Sequence, residues 1–496
     1  MSRITHWING ERWAGEAGRQ GEVYDPALGT VTGLVDLASE ADANAAVAAA
    51  RAAWQSWRLA TLSTRARVLF DFRAALLERR AEIVAAITAE HGKVLADADG
   101  ELARGIEVVE FACGIPALLK GQFSESVSTQ IDVTSIPQPV GVCALITPFN
   151  FPAMVPLWFA PIAIACGNAV VLKPSEKDPS ASLLLAECWA RAGLPAGVFN
   201  VLQGDAVAVN TLLTHPDVRA VSFVGSTPVA RHVYEAGTAH GKRVQALGGA
   251  KNHMVVTPDA DLDAAADAAV SAGFGSAGER CMAVSVVVAV DPAGDDLVAR
   301  IAERMGPLRT GDGRRGCDMG PLVTGAHRDK VASYLDAGTA AGAKLVVDGR
   351  ATPVDGSPQG FWLGPTLFDQ VPVDSSVYRD EIFGPVLSVV RAPSFDAALD
   401  LVNASPYGNG TAIFTTDGAL ARRFQNEVEV GMVGINVPIP VPAAAYSFGG
   451  WKSSLFGDTH AYGADGVQFF TRGKAVTQRW LDPSHGGINL GFPTNS

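Results

Sequence analysis

Residues 133–172 contain no charged side chain and no histidine, yet six prolines interrupt them, at 137, 139, 148, 152, 156 and 161. The run is long enough to cross a bilayer. A spanning helix tolerates one such break, not six, because each proline removes a backbone donor and clashes with the preceding turn. A stretch this apolar and this often broken must therefore lie inside a protein core in short pieces. It divides into a strand at 141–147, a buried helix at 154–165 and a strand at 169–172. The alternation then continues, with a helix at 180–192 closed by Gly193, strands at 199–202 and 218–224, a helix at 228–236 and a strand at 244–247. Apolar strands separated by helices predict parallel βαβ units, hence a doubly wound α/β domain of the nucleotide-binding type.

At 496 residues the chain is too long for one core. From about residue 251 a second α/β pattern begins, with helices near 262–272, 293–305, 326–341 and 395–403 and strands near 284–290, 344–347, 386–391 and 411–414. We assign 1–120 and 140–250 to the first domain, its 40–120 part helical and rich in alanine, and 251–450 to the second. Segments 121–139 and 460–490 fit neither unit. They read as an arm and a tail that pair between subunits of a homodimer or homotetramer.

The balance of 39 basic against 51 acidic residues leaves a net charge of −12 with no extended basic cluster. Nucleic acid and anionic membranes are excluded as main partners. The six cysteines form no CxxC pair and no zinc-like spacing, so no metal is expected, and reduced thiols in a cytoplasmic protein fit best. The first residues, Met1-Ser2-Arg3-Ile4-Thr5-His6-Trp7, lack the apolar core of a signal peptide.

Cys281 stands in Gly278-Glu279-Arg280-Cys281-Met282, after a run of small residues and before the β-branched stretch 284–290. A thiol at a flexible junction meets a substrate closely, and the adjacent Arg280 favours the thiolate. Taken alone, the segment fits a buried apolar cysteine equally well. Gly225-Ser226-Thr227-Pro228 follows a strand and opens a helix, whose free N–H groups make either an anion cradle or an ordinary βα turn. Lys173-Pro174-Ser175-Glu176 ends another parallel strand, where ligands of open sheets sit; its lysine and glutamate suit a ribose, the carboxylate accepting from two hydroxyls, and a solvated loop fits the segment equally well. In Thr147-Pro148-Phe149-Asn150-Phe151-Pro152 the uncharged amide of Asn150 is a rigid donor of the kind an oxyanion needs. Glu381-Ile382-Phe383-Gly384-Pro385 puts a carboxylate and an aromatic just before a strand. On a helix, Arg104 shares an apolar face with Val108, Phe111 and Ile115. It takes either Glu101 or Glu107 as partner, or a substrate carboxylate.

Together these segments and Leu247-Gly248-Gly249 resemble the aldehyde dehydrogenase superfamily, in its order and spacing and over essentially the whole chain. Residues 245–253 (Gln-Ala-Leu-Gly-Gly-Ala-Lys-Asn-His) and 278–283 look like its CoA-acylating branch. The resemblance implies an NAD-dependent oxidation. Cys281 attacks an aldehyde, while Asn150 and the Cys281 N–H hold the oxyanion. Phe149, Lys173, Glu176, Gly225, Ser226, Glu381 and Phe383 bind NAD, with Glu176 disfavouring a 2′-phosphate. Arg104 and Arg280 select an aldehyde that carries a carboxylate, such as malonate or methylmalonate semialdehyde. Decarboxylation and transfer to coenzyme A then give acetyl-CoA or propionyl-CoA.

Two departures from the superfamily matter. Ala230 replaces a second glycine of the phosphate turn. Ala246 stands immediately before Leu-Gly-Gly, where most members carry the glutamate that activates water. Without that base CoA is expected to take the acyl group. The competing readings are a hydrolytic aldehyde dehydrogenase and an NAD-free cysteine esterase or acyltransferase.

Overall fold

The computed structural model describes residues 1–15 and 18–480, so the part of the predicted tail at 481–490 lies outside the described residues. Two large sheets organise the chain. The first has eight strands in the order Leu455–Phe456, Arg243–Leu247, Val218–Val224, Val142–Ile146, Ala169–Lys173, Phe199–Val201, His6–Ile8 and Glu11–Trp13. Its five middle strands are parallel, and the edges are antiparallel. In chain order the strands step outward from Val142–Ile146 in one direction, then restart beside it with Val218–Val224. The crevice at that reversal, outside the carboxyl ends of the strands, is where open α/β sheets hold ligands. The Phe149-Asn150 segment and the Gly225 turn leave the sheet on either side of it.

The charge-free run behaves as its composition requires. Every residue of the helix Met154–Ala165 is buried, as are the strands Val142–Ile146 and Ala169–Lys173 beside it. Among the described residues no helix is long and apolar enough to cross a membrane. Helices Glu40–Trp57, Leu62–Glu78, Arg80–His91 and Leu95–Cys113 fill the region read as helical.

The second sheet has seven strands: Lys344–Val347, Thr366–Asp369, Val386–Ala392, Val284–Val290, Asn252–Val256, Gly410–Phe414 and Met432–Ile435. Strands Asn252–Val256, Thr366–Asp369 and Met432–Ile435 and helix Gly418–Glu427 escaped the sequence reading; they are short, and proline or glycine interrupts the pattern nearby. The N-terminal strands Ser2–Ile4, Gln20–Asp25 and Thr30–Asp36, also unforeseen, form a separate three-stranded sheet. Segments read as arm and tail pair with each other: Gln122–Ser128, Ile131–Pro139 and Thr471–Arg479 make an antiparallel sheet. Phe123 and Ile136 stand exposed on it.

The amino ends of Val284–Val290 and Val386–Ala392, neighbours in the second sheet, carry the Cys281 and Glu381 segments. The carboxyl ends of the first sheet meet them. Ala250, just past the first sheet, donates its N–H to Glu381 Oε1 at 2.8 Å.

Candidate active site

The Cys281 segment is built from strained backbone. After the helix Leu262–Phe274, Ser276 and Ala277 take left-handed φ values of 53° and 52°, a conformation that costs an L-residue roughly 1–2 kcal/mol. Hydrogen bonds hold them there: Ser276 N–H donates to Asp97 Oδ2 at 2.9 Å, and Glu279 N–H to the Ser276 carbonyl at 3.0 Å. Gly278 has φ 74°, and a Cβ there would lie 2.2 Å from the Gly384 carbonyl oxygen, so glycine lets this segment approach the Glu381–Phe383 stretch. The Cys281 carbonyl accepts from Asn252 Nδ2 at 2.9 Å and Asn409 Nδ2 at 3.1 Å.

Cys281 is half-buried, whereas the other five cysteines are buried. Burial pushes its thiol up to about 12, and the Glu381 carboxylate adds to the rise. Arg280 acts in the expected direction, lowering the thiol, but burial and Glu381 outweigh it. Its guanidinium pairs with Asp97, with Nη2 to Oδ1 at 2.5 Å.

Asn150 is buried after the strand Val142–Ile146. Its carbonyl accepts from Lys93 Nζ at 2.6 Å, and the same ammonium meets Glu101 Oε2 at 2.8 Å. Both of these side chains are fully buried. Phe149 lies in an aromatic nest, its centroid 5.9 Å from His91, 6.3 Å from His327 and 5.8 Å from Phe383, which itself has φ 58°. Lys173 Nζ reaches Glu176 Oε2 at 3.3 Å, the lysine buried and the carboxylate half-exposed. Gly225 and Ser226 precede the helix Thr227–Ala239, and no side chain caps its first turn. Ala230, the departure in that turn, faces the core, where its methyl is fully buried.

These groups fit a dinucleotide: uncapped N–H groups at a 13-residue helix for phosphate, and a lysine–glutamate pair at a neighbouring strand end for a diol. Burial raises Glu381 to about 7. Lys251 holds the approach to Glu381 by donating to the carbonyls of Val377 at 2.9 Å and Asp380 at 2.7 Å.

Cys281 opens on two spaces. One is a narrow cleft lined by Ala250, Lys251, Glu381 and Phe383. The other is a cavity of about 350 Å³ walled by Phe151, Met154, Trp158 and Phe448, with Arg104 and Arg280 at its polar side. Arg104 pairs with Glu107 at 2.7 Å and donates to the Val441 and Pro442 carbonyls; Glu101, the other partner considered for it, is occupied by Lys93. The helix carrying Arg104 ends at Cys113, so Ile115 does not continue its face.

Ala246 and Leu247 stand on opposite faces of their strand. Side chains alternate along Arg243–Leu247. Val244 and Ala246 belong to the core with Val221 and Phe223, on the face covered by helix Glu40–Trp57. Leu247 belongs to the other core, against which Cys281 packs. Neither Ala246 nor Leu247 lines either of the spaces on which Cys281 opens. Neither carries a base.

Sequence reading missed Lys93, Asp97, Lys251 and Asn409, and took Glu101 only as a possible partner of Arg104. A signal existed for two of them, since Asp97, Glu101 and Arg104 share one helical face at +4 and +3 spacing.

Comparison with known proteins shows the family. The aldehyde dehydrogenase family pattern matches residues 13–476. The chain belongs to the aldehyde dehydrogenase family. It is 55% identical to the malonate-semialdehyde dehydrogenase of Pseudomonas aeruginosa, covering 100% of both chains. A solved structure of a putative methylmalonate-semialdehyde dehydrogenase from Sinorhizobium meliloti, complexed with NAD, superposes with a TM-score of 0.96 at 50% identity, covering 98% of this chain and 99% of that one. The methylmalonate-semialdehyde dehydrogenase of Oceanimonas doudoroffii gives 0.96 at 52% identity, covering 97% and 99%.

Proposed function

We propose that the protein oxidises malonate or methylmalonate semialdehyde with NAD and passes the acyl group, after loss of CO2, to coenzyme A. Cys281 loses its proton and adds to the aldehyde carbon, forming a C–S bond. Asn150 and the Cys281 N–H hold the resulting oxyanion; one such donor contributes about 10²–10³ in rate. Bound NAD would supply the hydride acceptor, and loss of hydride from the adduct would leave a thioester on Cys281. Lys173, Glu176, Gly225, Ser226, Phe149, Glu381 and Phe383 hold and orient that cofactor. Arg104 and Arg280 receive the substrate carboxylate; each guanidinium has five donors, so pairing with Glu107 or Asp97 leaves others free. The C–C bond to that carboxylate then breaks, CO2 leaves, and the electron pair forms a thioester enolate that takes up a proton. The CoA thiol attacks the thioester and releases Cys281. The exposed three-stranded sheet is the surface through which subunits pair.

The apolar end of strand Arg243–Leu247 carries this reading: neither Ala246 nor Leu247 can deprotonate water, so the thioester waits for a thiol. NADH formation measured with malonate, methylmalonate and succinate semialdehydes, each with and without CoA, tests it. Without CoA we expect a burst close to one NADH per site and then a stall, and with CoA steady ping-pong turnover. Rapid CoA-independent turnover would overturn the acylating reading and leave a hydrolytic dehydrogenase.

A further inference from the structure

The geometry points to Asp97 and Glu101, on one face of the helix Leu95–Cys113, as positioning residues that set the spacing between the nucleophile segment and the oxyanion-donor segment; this inference rests on the roles proposed above for Cys281 and Asn150. The two carboxylates are one helical turn apart, and each grips a different segment. Asp97 takes Ser276 N–H at 2.9 Å on Oδ2 and Arg280 Nη2 at 2.5 Å on Oδ1, so both sides of the strained Cys281 turn are tied to the helix. Glu101 takes Ala153 N–H at 2.8 Å and Met154 N–H at 3.1 Å on Oε1, and Lys93 Nζ at 2.8 Å on Oε2. Lys93 in turn donates to the Asn150 carbonyl at 2.6 Å and lies 4.4 Å from the centre of the Phe151 ring. The Asn150–Met154 stretch thus hangs from Glu101 at three points, two directly and one through Lys93.

A helix turn is stiff, so the distance between its two carboxylates is fixed. Loops tied to them inherit that distance. The ammonium and carboxylate are fully buried, so this contact does not exchange with water as a surface pair would. A core needing only stability is served as well by apolar side chains. What the ionic pair adds is a directed bond to the carbonyl of the residue whose side chain meets the oxyanion. Arg104, three residues on, faces the same cavity as Asp97 and Glu101, so the helix also sets where the substrate carboxylate is received relative to both reacting segments.

The test measures two rates on each variant: the pre-steady-state NADH burst with propionaldehyde, without CoA, and alkylation of Cys281 by iodoacetamide in the free enzyme. The other five cysteines are buried, and Cys281→Ser supplies the blank. Lys93→Met/Glu101→Gln keeps an acceptor for the Ala153 and Met154 N–H groups and removes the bond to Asn150, together with the ion pair and the ammonium over Phe151. We expect its burst to slow by about 10- to 100-fold, the scale of a misplaced reacting group, with alkylation and NAD affinity within threefold of the parent. Asp97→Ala should slow both rates about tenfold or more. Asp97→Asn, which keeps an acceptor for Ser276, should recover both to within threefold.

Glu101→Asp, which keeps the charge pair but shortens the reach by one methylene, is measured in parallel in case the double variant does not fold. A slowed burst at unchanged NAD affinity supports the inference. Burst rates within threefold of the parent in Asp97→Ala and in either Glu101 variant would overturn it, as would Asp97→Asn failing to recover what Asp97→Ala loses. The parent's own burst with propionaldehyde reports on Cys281 and NAD independently. Its absence would count against the proposed function, whereas the ratio of variant to parent reports on positioning alone.

Discussion

The two spaces that meet at Cys281 differ in almost every physical respect. The cleft toward Glu381 is narrow and polar, bounded by backbone amides, the buried Lys251 and a carboxyl whose own proton is held to about 7. The cavity toward Trp158 is wide, with aromatic and thioether walls and two guanidiniums at one side. The contrast separates two tasks. Burial beside the cleft raises the thiol, and the Glu381 carboxylate adds to the rise; the cavity presents the two guanidiniums proposed to receive the substrate carboxylate. Keeping Glu107 and Asp97 as counter-ions lets the two arginines sit at an apolar wall without being unpaired.

The largest change should come from removing what the two spaces share. Cys281→Ser is expected to lower turnover by about 10⁴-fold or more, the scale of losing a covalent nucleophile. NAD affinity, followed by fluorescence titration, should stay within threefold. Turnover within tenfold of the parent would show that neither space serves Cys281.

The next pair of variants separates the two faces of one strand. Ala246→Glu, at the position where the sequence lacks the base, should create CoA-independent hydrolysis, a positioned base being worth roughly 10²–10⁴-fold. Leu247→Glu should only destabilise, because Leu247 is packed in the core on the other face. Steady NADH production without CoA is the readout. Hydrolysis appearing in Leu247→Glu and not in Ala246→Glu would reverse the assignment of the two positions.

On the cavity side, Arg104→Ala or Arg280→Leu should weaken kcat/KM for carboxylated semialdehydes by about 2–4 kcal/mol more than for propionaldehyde, since a desolvated carboxylate loses its partner. Equal losses on both aldehydes would make these arginines structural.

On the cleft side, Glu381→Gln removes the charge that adds to the rise burial imposes on the thiol. Alkylation of Cys281 at pH 8 should then quicken, by up to about tenfold for one pKa unit. In the parent, alkylation should still be climbing above pH 9, because burial and Glu381 hold the thiol at about 12. A plateau below pH 8 would contradict that charge arrangement.

The smallest effect concerns stability under the catalytic turn. Glu279 is fully buried, with His91 at 3.8 Å and His327 at 3.6 Å, and burial lifts it from 4.5 to about 8. Its folded pKa lies above its unfolded one, so its contribution to stability is complete below about 4.5 and lost as pH rises through about 8. Glu279→Gln should therefore raise Tm at pH 8.5 by roughly 2–4 °C, the shift expected for about 1 kcal/mol, and leave it nearly unchanged at pH 5. An equal shift at both pH values would mean that packing, not charge, is responsible.

Much of this molecule is written locally. Proline spacing in the charge-free run divides it into strand, helix and strand, and the helix Met154–Ala165 falls where that division puts it. Alternating apolar strands and helices predict the parallel sheet, and in such a sheet the strand ends are the places for Asn150, Lys173 and Gly225. The order of the motifs carries the family. These features depend on neighbours in sequence, through backbone sterics and side-chain periodicity.

The tertiary structure decided the rest, because the deciding partners are far along the chain. Arg280 pairs with Asp97 across 183 residues. The thiol is raised because two sheets bury it, a desolvation no local pattern encodes. Which core residues 246 and 247 enter depends on the phase of strand alternation, and a one-residue difference in phase exchanges the two faces. The sequence by itself determined which groups can react and in what order they lie. Packing alone decided which of them meet, which are charged, and which way each strand turns its side chains.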